Sequence, residues 1–195
     1  MKRVFALLSA LSLLGLAVPA RAEGIDINLS SHALRGAFTG SISQMFPRLD
    51  GLYEVGVLMG EIEEREYYQG HAGLRVSGDA GAERANVVAG LGGRIVVLDV
   101  DDVDVTGGAL ALGGMIEARL PAFNRIGAVV YAYGAPEASS FGDFDGYIEY
   151  SAGLDYQVLR NASLYAGYRQ VKVDSKDAGN LTVDNGWHLG LRLTF

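Results

Sequence analysis

The chain of 195 residues contains no cysteine. Disulfide bonds therefore cannot stabilise its fold, and an exported domain of this composition depends on hydrogen bonding and burial alone. Beyond the N-terminal segment, the chain also lacks any run of 18 apolar residues, because the nearest stretch, residues 86–100, is interrupted by three glycines and Arg94. Insertion of this chain into a membrane would require a closed β-barrel, since lipid offers backbone groups no hydrogen-bond partner.

The first 22 residues are organised like a secretory signal peptide. Two basic residues precede an apolar run of 15 residues, positions 4–18, and residues 20–22 form an Ala-x-Ala cleavage site. A membrane-spanning helix needs about 20 apolar residues. We therefore predict cleavage after Ala22, which divides the chain into a signal peptide (1–22) and one domain (23–195); an uncleaved anchor is the alternative.

Basic residues are scarce in the predicted mature domain. Without the three basic residues of the signal peptide, 13 basic residues face 23 acidic ones, a net charge of −10. This balance argues against a nucleic-acid partner, which requires a basic patch. Glycine, in contrast, is abundant, with 27 residues, about twice its usual share of roughly 7%. Glycine weakens helix interiors, so this composition favours strands.

Strict alternation of apolar and polar residues is the main signal of secondary structure. The C-terminal segment "NGWHLGLRLTF" places Trp187, Leu189, Leu191, Leu193 and Phe195 on one face and polar or small residues on the other. Similar period-two segments recur upstream, and their length of about ten residues is what a tilted strand needs to cross a bilayer. We predict strands at 24–30, 33–42, 52–61, 68–78, 86–99, 105–120, 125–134, 146–159, 162–174 and 185–195.

The predicted fold is all-β, a transmembrane antiparallel up-and-down β-barrel of about ten strands that follows a cleaved signal peptide. The first two strands alternate poorly, so eight strands behind an N-terminal extension are the alternative. Counted from the C-terminus, alternate links are short and turn-like, and the others are longer or more acidic, as expected of periplasmic turns and extracellular loops. Aromatic residues are expected near both ends: Phe46, Phe123, Tyr156 and Phe195 at one end, and Tyr68, Tyr133, Tyr150 and Trp187 at the other.

A secreted soluble barrel would alternate in the same way, with its apolar face inward. Few charges fall inside the predicted strands, and they carry both signs and oppose the apolar face. This pattern favours a polar lumen with internal ion pairs and an apolar face toward lipid. The predicted lumen charges are Arg94, Glu117, Arg119, Glu149, Asp155, Arg169 and Arg192. We expect Arg169 and Arg192 to pair with Glu149, Asp155 or Glu117.

The C-terminal half of the chain resembles the YfaZ family of Gram-negative outer-membrane proteins. The resemblance rests on Ala135-Pro136-Glu137, the segment "SFGD" from Ser140, "YIEY" from Tyr147, "GYR" from Gly167 and "DNGWH" from Asp184. It implies location in the outer membrane, with membrane lipid and lipopolysaccharide as partners, and no assigned activity. Phe195 resembles the terminal signal read by the barrel-assembly machinery, with the alternating residues from Trp187 to Leu193 in support.

Candidates for chemistry are few. Of three histidines, His188 lies on the inward face of the last strand with Asp184 four residues before it, so it is the one weak candidate for a general base. The alternative is a lumen histidine bonded to a carboxylate or a tyrosine, which we favour because no serine stands at a recognisable spacing. His32 and His71 are expected at loop ends, in solvent.

The acidic segment "DVDDVDV" contains the weak candidates for a metal site, Asp99, Asp101, Asp102 and Asp104. It lacks the glycine and distal glutamate of an EF-hand loop, so a solvated loop is the expected reading. We expect no metal, cofactor or enzymatic activity. The expected function is a structural or surface role for a small porin-like barrel; a narrow channel for ions or small solutes and an outer-membrane hydrolase using His188 are the alternatives.

Overall fold

The computed structural model describes residues 24–43, 50–62, 65–81, 86–101, 105–119, 121–176 and 179–195. The predicted signal peptide, and Asp102 and Asp104 of the acidic segment, lie outside these residues. The helical segments in the described ranges are single 3₁₀ turns, Pro121–Phe123 and Glu137–Ser139. None of the helices described is long and apolar enough to cross a membrane.

Ten long antiparallel strands in the described residues form a closed barrel. Strands that follow one another along the chain are hydrogen-bonded, and the first strand pairs with the last. A further strand of three residues, β8, pairs with β6 in the part of the wall beyond the end of β7. The strands are β1 Gly24–Ser30, β2 Ala33–Ser41, β3 Gly51–Ile62, β4 Arg65–Asp79, β5 Asn86–Val100, β6 Val105–Arg119, β7 Ile126–Ala135, β8 Ser140–Gly142, β9 Phe144–Leu159, β10 Ala162–Ser175 and β11 Gly179–Thr194.

The prediction of ten strands is confirmed, and the eight-stranded alternative is wrong. β1 pairs with β11 over seven residues, from Gly24 opposite Thr194 to Ser30 opposite His188. Its other edge pairs with β2. Without β1 and β2 the wall could not close in this register, so the two strands with the weakest sequence pattern are the ones that complete the ring.

The lengths of the links differ from the prediction. We call the end of the barrel that contains Gly24 and Thr194 the terminal rim, and the opposite end the hairpin rim. Segments predicted as long loops at the hairpin rim are largely strand, since β11 begins at Gly179 rather than at 185, and β3 and β4 are separated by residues 63–64 alone. The prediction failed because it ended strands where the apolar alternation ends, whereas backbone pairing continues beyond that point.

Near the terminal rim the barrel is apolar outside and polar inside. The predicted apolar face points outward, with Leu91 77% exposed, Leu154 62% and Leu189 69%. The opposite face points into the barrel and carries charged side chains such as Arg94 and Glu149. This arrangement is the reverse of a water-soluble domain, in which large apolar side chains are mostly buried.

Toward the hairpin rim this arrangement inverts. Along β10 the outward residues change from Leu164 and Ala166 to Gln170, Lys172 and Asp174, and the inward ones change from Arg169 to Val171 and Val173, both fully buried. Buried apolar side chains fill the interior at this end, and we call them the apolar plug: Ala33, Leu58, Tyr67, Val96, Leu98, Val100, Val105, Ala109, Ala111, Tyr133, Ala135, Phe144, Tyr147, Val171, Val173 and Val183. The prediction of a polar lumen therefore holds only for the half near the terminal rim.

Two local features depart from the simple alternation. The register of β10 and β11 shifts at Val183, so that Val171 faces Asp184 and Lys172 faces Thr182. This β-bulge buries both Val183 and Asp184 on the inner side. Tyr133, predicted near the outer boundary, instead faces inward and is 7% exposed, because it shares its face with Tyr131 on β7.

Several glycines lie directly opposite tyrosines on the neighbouring strand. The pairs are Gly40 with Tyr53, Gly60 with Tyr67, Gly113 with Tyr133, and Gly190 with Tyr165. A Cβ at any of these four glycines would overlap the paired tyrosine. The high glycine content thus provides space for aromatic rings that lie flat against the wall.

We predict that Gly113→Ala destabilises the folded barrel by about 1–3 kcal/mol. The added Cβ would overlap the carbonyl oxygen of Ala132 and approach the Cα of Tyr133, which are backbone atoms and cannot move without distorting the wall. Gly36→Ala is the matched control, because nothing lies within 4 Å of its added Cβ. Urea unfolding of both variants in detergent measures the difference, and equal midpoints would contradict the prediction.

Candidate functional site

The polar half of the interior is the candidate site. Alternation places one or more charged side chains from most strands on the inner face of this region. All seven predicted lumen charges are there, and Arg94, Glu149, Asp155 and Arg169 are each less than 10% exposed. Five further titratable residues face inward but were not among the predicted lumen charges: Asp26, Arg35, Glu54, His71 and Asp184. Each of them lies on the polar face of its strand, so the signal was present.

Glu149 is one centre of this network. Its carboxylate accepts hydrogen bonds from Arg94 Nη1 at 3.0 Å, from the Tyr131 hydroxyl at 2.9 Å and from the Tyr147 hydroxyl at 2.5 Å. The Arg94 guanidinium lies 3.5 Å from the centre of the Tyr133 ring. Since β5 and β9 are not adjacent, this ion pair spans the lumen and ties distant parts of the wall together.

Asp26 is the second centre and lies where the barrel closes. It accepts hydrogen bonds from Arg192 Nε at 3.2 Å and from the Tyr165 hydroxyl, and Arg35 Nη1 lies 3.6 Å from its carboxylate. Arg192 is directly opposite Asp26 in the register of β1 and β11. The carboxylate thus joins four strands: β1, β2, β10 and β11.

The predicted partners of Arg169 and Arg192 are wrong. Arg169 donates from Nε to Asp184 at 2.6 Å and from Nη1 to Asn28 at 3.0 Å, and Arg192 pairs with Asp26. Each carboxylate is a near neighbour on the next strand, within reach of a long side chain. Alternation in the sequence shows on which face of a strand a residue lies, but it does not show how neighbouring strands are aligned. It therefore could not identify these partners.

Glycines allow pairing between strands that are not adjacent. Gly127 on β7 lies between Arg119 on β6 and Asp155 on β9, and is opposite both in register. Arg119 Nη2 reaches over it to Asp155 at 2.6 Å, and Arg119 Nε also donates to Glu117 at 2.9 Å. In the same way Tyr165 crosses over Gly190 to reach β1.

His71 is buried, and the prediction of a solvent-exposed position is wrong. Its imidazole is 5% exposed, and Nε2 lies 2.9 Å from Glu54 and 3.4 Å from Arg35. The misassignment followed from starting the fourth strand at 68, since β4 begins at Arg65 and therefore places His71 well inside the wall. His32, in contrast, is exposed at the hairpin rim.

His188 faces inward, as its parity indicates, and is 6% exposed. Its ring contacts Tyr165 edge-on, with centroids 5.8 Å apart, and its Nδ1 has no hydrogen-bond partner among the described residues. Asp184, the carboxylate four residues before it, is bound by Arg169 instead. The imidazole thus lacks the orienting partner that a general base has in a catalytic triad.

The acidic segment is described only in part. Asp99 accepts a hydrogen bond from Thr106 Oγ1 at 2.7 Å, and the backbone N–H of Asp101 donates to the carbonyl of Glu66 at 2.9 Å. These contacts belong to the pairing of β4, β5 and β6 at the hairpin rim. Over the parts of the chain that the structure describes, no three acidic or histidine side chains are grouped so as to hold a metal ion.

The interior cavity is the space that these side chains enclose. It has a volume of about 350 Å³ and extends from Thr39, Leu52 and Thr194 near the terminal rim to Arg169 and to Tyr133, the member of the apolar plug that borders the cavity. Above it, Val96, Leu98, Val171 and Val173 are fully buried. Within the described residues, the cavity is therefore closed on the side of the hairpin rim.

Comparison with known proteins gives one family match. A family model described as "YfaZ precursor" matches residues 53–195, which contain most of β3 and all of β4 to β11. No curated protein matches the chain. Among solved structures, a chain from work headed "Unveiling the Mechanism Behind the in-meso Crystallization of Membrane Proteins" is 12% identical, with 88% of this chain and 82% of that chain covered and a TM-score of 0.41. That likeness is too low to carry an argument.

We predict that Arg94→Met destabilises the barrel by about 3–5 kcal/mol, because it leaves the Glu149 carboxylate buried without its cationic partner. The double variant Arg94→Met/Glu149→Gln should recover part of this loss, because the uncompensated charge is removed. Lys176→Ala is the control, since the Lys176–Asp145 pair is exposed and should contribute less than about 1 kcal/mol. Urea unfolding measures all three variants, and a double variant as unstable as Arg94→Met or worse would contradict the account.

Proposed function

Because the chain belongs to the YfaZ family, we propose that it is an integral outer-membrane β-barrel with a structural role at the cell surface. In this proposal the chain is exported through a signal peptide cleaved after Ala22. In the same proposal the hairpin rim, where the strands continue with a polar outer face beyond the apolar band, faces the exterior, and the terminal rim faces the periplasm.

The outward apolar face is the observation that carries the proposal. Large apolar side chains cover the outside of the barrel near the terminal rim, and Leu91, Leu112, Leu154 and Leu189 are each more than 60% exposed. In water such a surface would cause aggregation. In a bilayer it matches the hydrocarbon, while the closed wall satisfies the backbone.

Aromatic side chains lie near both edges of this apolar band, as expected at boundaries between lipid and water. Tyr168 and Trp187 stack edge-on with centroids 5.8 Å apart on the side of the hairpin rim, where Tyr150 is also exposed. Phe123 and Phe195, 64% and 70% exposed, lie at the terminal rim. Beyond Trp187 the outer wall becomes polar, which fits exposure to water and to lipopolysaccharide head groups.

The C-terminal strand is proposed to be the segment that the barrel-assembly machinery recognises. Trp187, Leu189 and Phe195 are highly exposed on its outer face, and Leu191 and Leu193 complete the same row. The free edge of this strand pairs with β1 only when the ring closes. A C-terminal segment that presents its apolar row before closure therefore fits a role in assembly.

The structural role is favoured over a narrow channel by the apolar plug. A conducting barrel needs a polar path through its whole length, whereas side chains without solvent exposure close this one above the cavity. We further propose that the protein is not an enzyme. His188, the residue on which the hydrolase alternative depends, has no partner at Nδ1 within the described part of the chain, and Asp184 is bound by Arg169.

Fractionation and gel mobility test the proposal. We predict that the protein is found in the outer-membrane fraction of a sucrose gradient and that its unboiled form migrates differently from its boiled form, because a closed barrel resists the detergent. In planar bilayers the same preparation should show no stable conductance steps. Recovery in a soluble fraction with heat-independent mobility would contradict the membrane proposal, and regular steps would instead support the channel alternative.

A further inference from the structure

The interior cavity has the dimensions of a ligand site. Its volume of about 350 Å³ falls at the lower end of the range of roughly 300–1,000 Å³ for small-molecule pockets. The barrel wall around it is continuous, and the plug closes it above, so the terminal rim is its entrance. Arg192, whose side chain is 39% exposed, lies on the cavity wall near that end.

Four of the eight buried side-chain atoms that lack a hydrogen-bond partner among the described residues belong to side chains of this wall. Arg75 Nε, Arg169 Nη2, His71 Nδ1 and His188 Nδ1 are buried, have no partner among the described residues and belong to side chains that line the cavity. Buried polar atoms in folded proteins are nearly always satisfied, so such a group calls for an occupant. The two arginine nitrogens can only donate, so the occupant must accept hydrogen bonds.

The charged side chains of the cavity wall also favour an occupant that accepts hydrogen bonds, in this case an anion. Five arginines line the cavity, namely Arg35, Arg75, Arg94, Arg169 and Arg192, against three carboxylates, Asp26, Glu54 and Glu117. The carboxylates that bind Arg94 and Arg169, those of Glu149 and Asp184, are outside the cavity lining. Once these two carboxylates are counted, Arg75 is the one lining arginine that has no carboxylate partner among the described residues, and it supplies the unpaired positive charge.

Arg75 is the residue most clearly available to an occupant. It forms no hydrogen bond or ion pair with a carboxylate of the described chain, and Gly92 is directly opposite it on β5. A Cβ at Gly90 or Gly92 would lie 3.0–3.1 Å from atoms of the Arg75 side chain. The segment "GLGGR" of β5 thus leaves room for Arg75 to lie along the wall inside the cavity.

We propose that the interior cavity binds a small free oxyanion, a solute that carries carboxylate or phosphate oxygens and enters from the terminal rim. Arginine suits both groups, because its fork of donors matches two oxygens of a carboxylate or phosphate. The closed wall keeps out a lipid acyl chain, so the anion is a soluble molecule rather than a membrane head group. This site is distinct from the structural role proposed above and does not depend on it.

Calorimetric titration of the full mature protein, folded in a neutral detergent, tests this proposal. The probes are inorganic phosphate and succinate, and glycerol is the uncharged probe of similar size. We expect saturable heat with at least one of the anions and none with glycerol. Arg75→Gln should weaken the affinity about tenfold or more, because it removes a charge-assisted hydrogen bond.

Matched variants separate a specific site from general charge. Arg160→Gln removes an exposed arginine at the terminal rim, outside the cavity, and should leave the affinity unchanged. Arg75→Lys should retain part of the affinity, and Arg75→Glu should abolish it. Heat-dependent gel mobility confirms that each variant is folded. The proposal is overturned if folded wild-type protein gives no saturable heat with either anion, or if Arg75→Gln and Arg160→Gln bind equally well.

Discussion

Closure of the ten-stranded wall is the constraint on which the rest of the structure depends. Once the first strand pairs with the last, every side chain must point either outward or into a narrow interior, and backbone pairing leaves no open edge. Along the same strands, the sequence distributes apolar and polar side chains between the outside and the inside in two opposite ways. Near the terminal rim the outside is apolar and the inside is charged, and near the hairpin rim the outside is polar and the inside is a packed apolar core.

The charged interior is stable because its ions are joined across the lumen. Burying an isolated ion costs several kcal/mol, so the buried carboxylates of the interior are each held by an arginine. Glu149 accepts three hydrogen bonds, and Asp26 is bound from both of its flanking strands. Glycines such as Gly127 and Gly190 make these contacts possible by letting long side chains cross an intervening strand. The high glycine content is therefore one of the conditions that allow the internal ion pairs to form.

Sequence reasoning predicted what depends on periodicity. The strand positions, the outward row from Trp187 to Phe195 and the inward position of His188 all follow from a period of two. It could not predict what depends on register or on three-dimensional neighbours. The partners of Arg169 and Arg192 and the bulge at Val183 each require knowledge of which strand segments meet. The apolar plug was missed although most of its residues lie within the predicted strands, because a polar lumen was expected along the whole length of each strand.

Spin labels on the two sides of the change in polarity test the central claim most directly. In reconstituted bilayers, labels at Leu154 and Leu189 should be accessible to oxygen dissolved in the hydrocarbon and shielded from a water-soluble nickel reagent. A label at Lys172, on the outer face beyond Trp187, should show the opposite behaviour. The account is contradicted if Leu154 and Leu189 are inaccessible to both reagents, because the apolar face would then be buried within the protein.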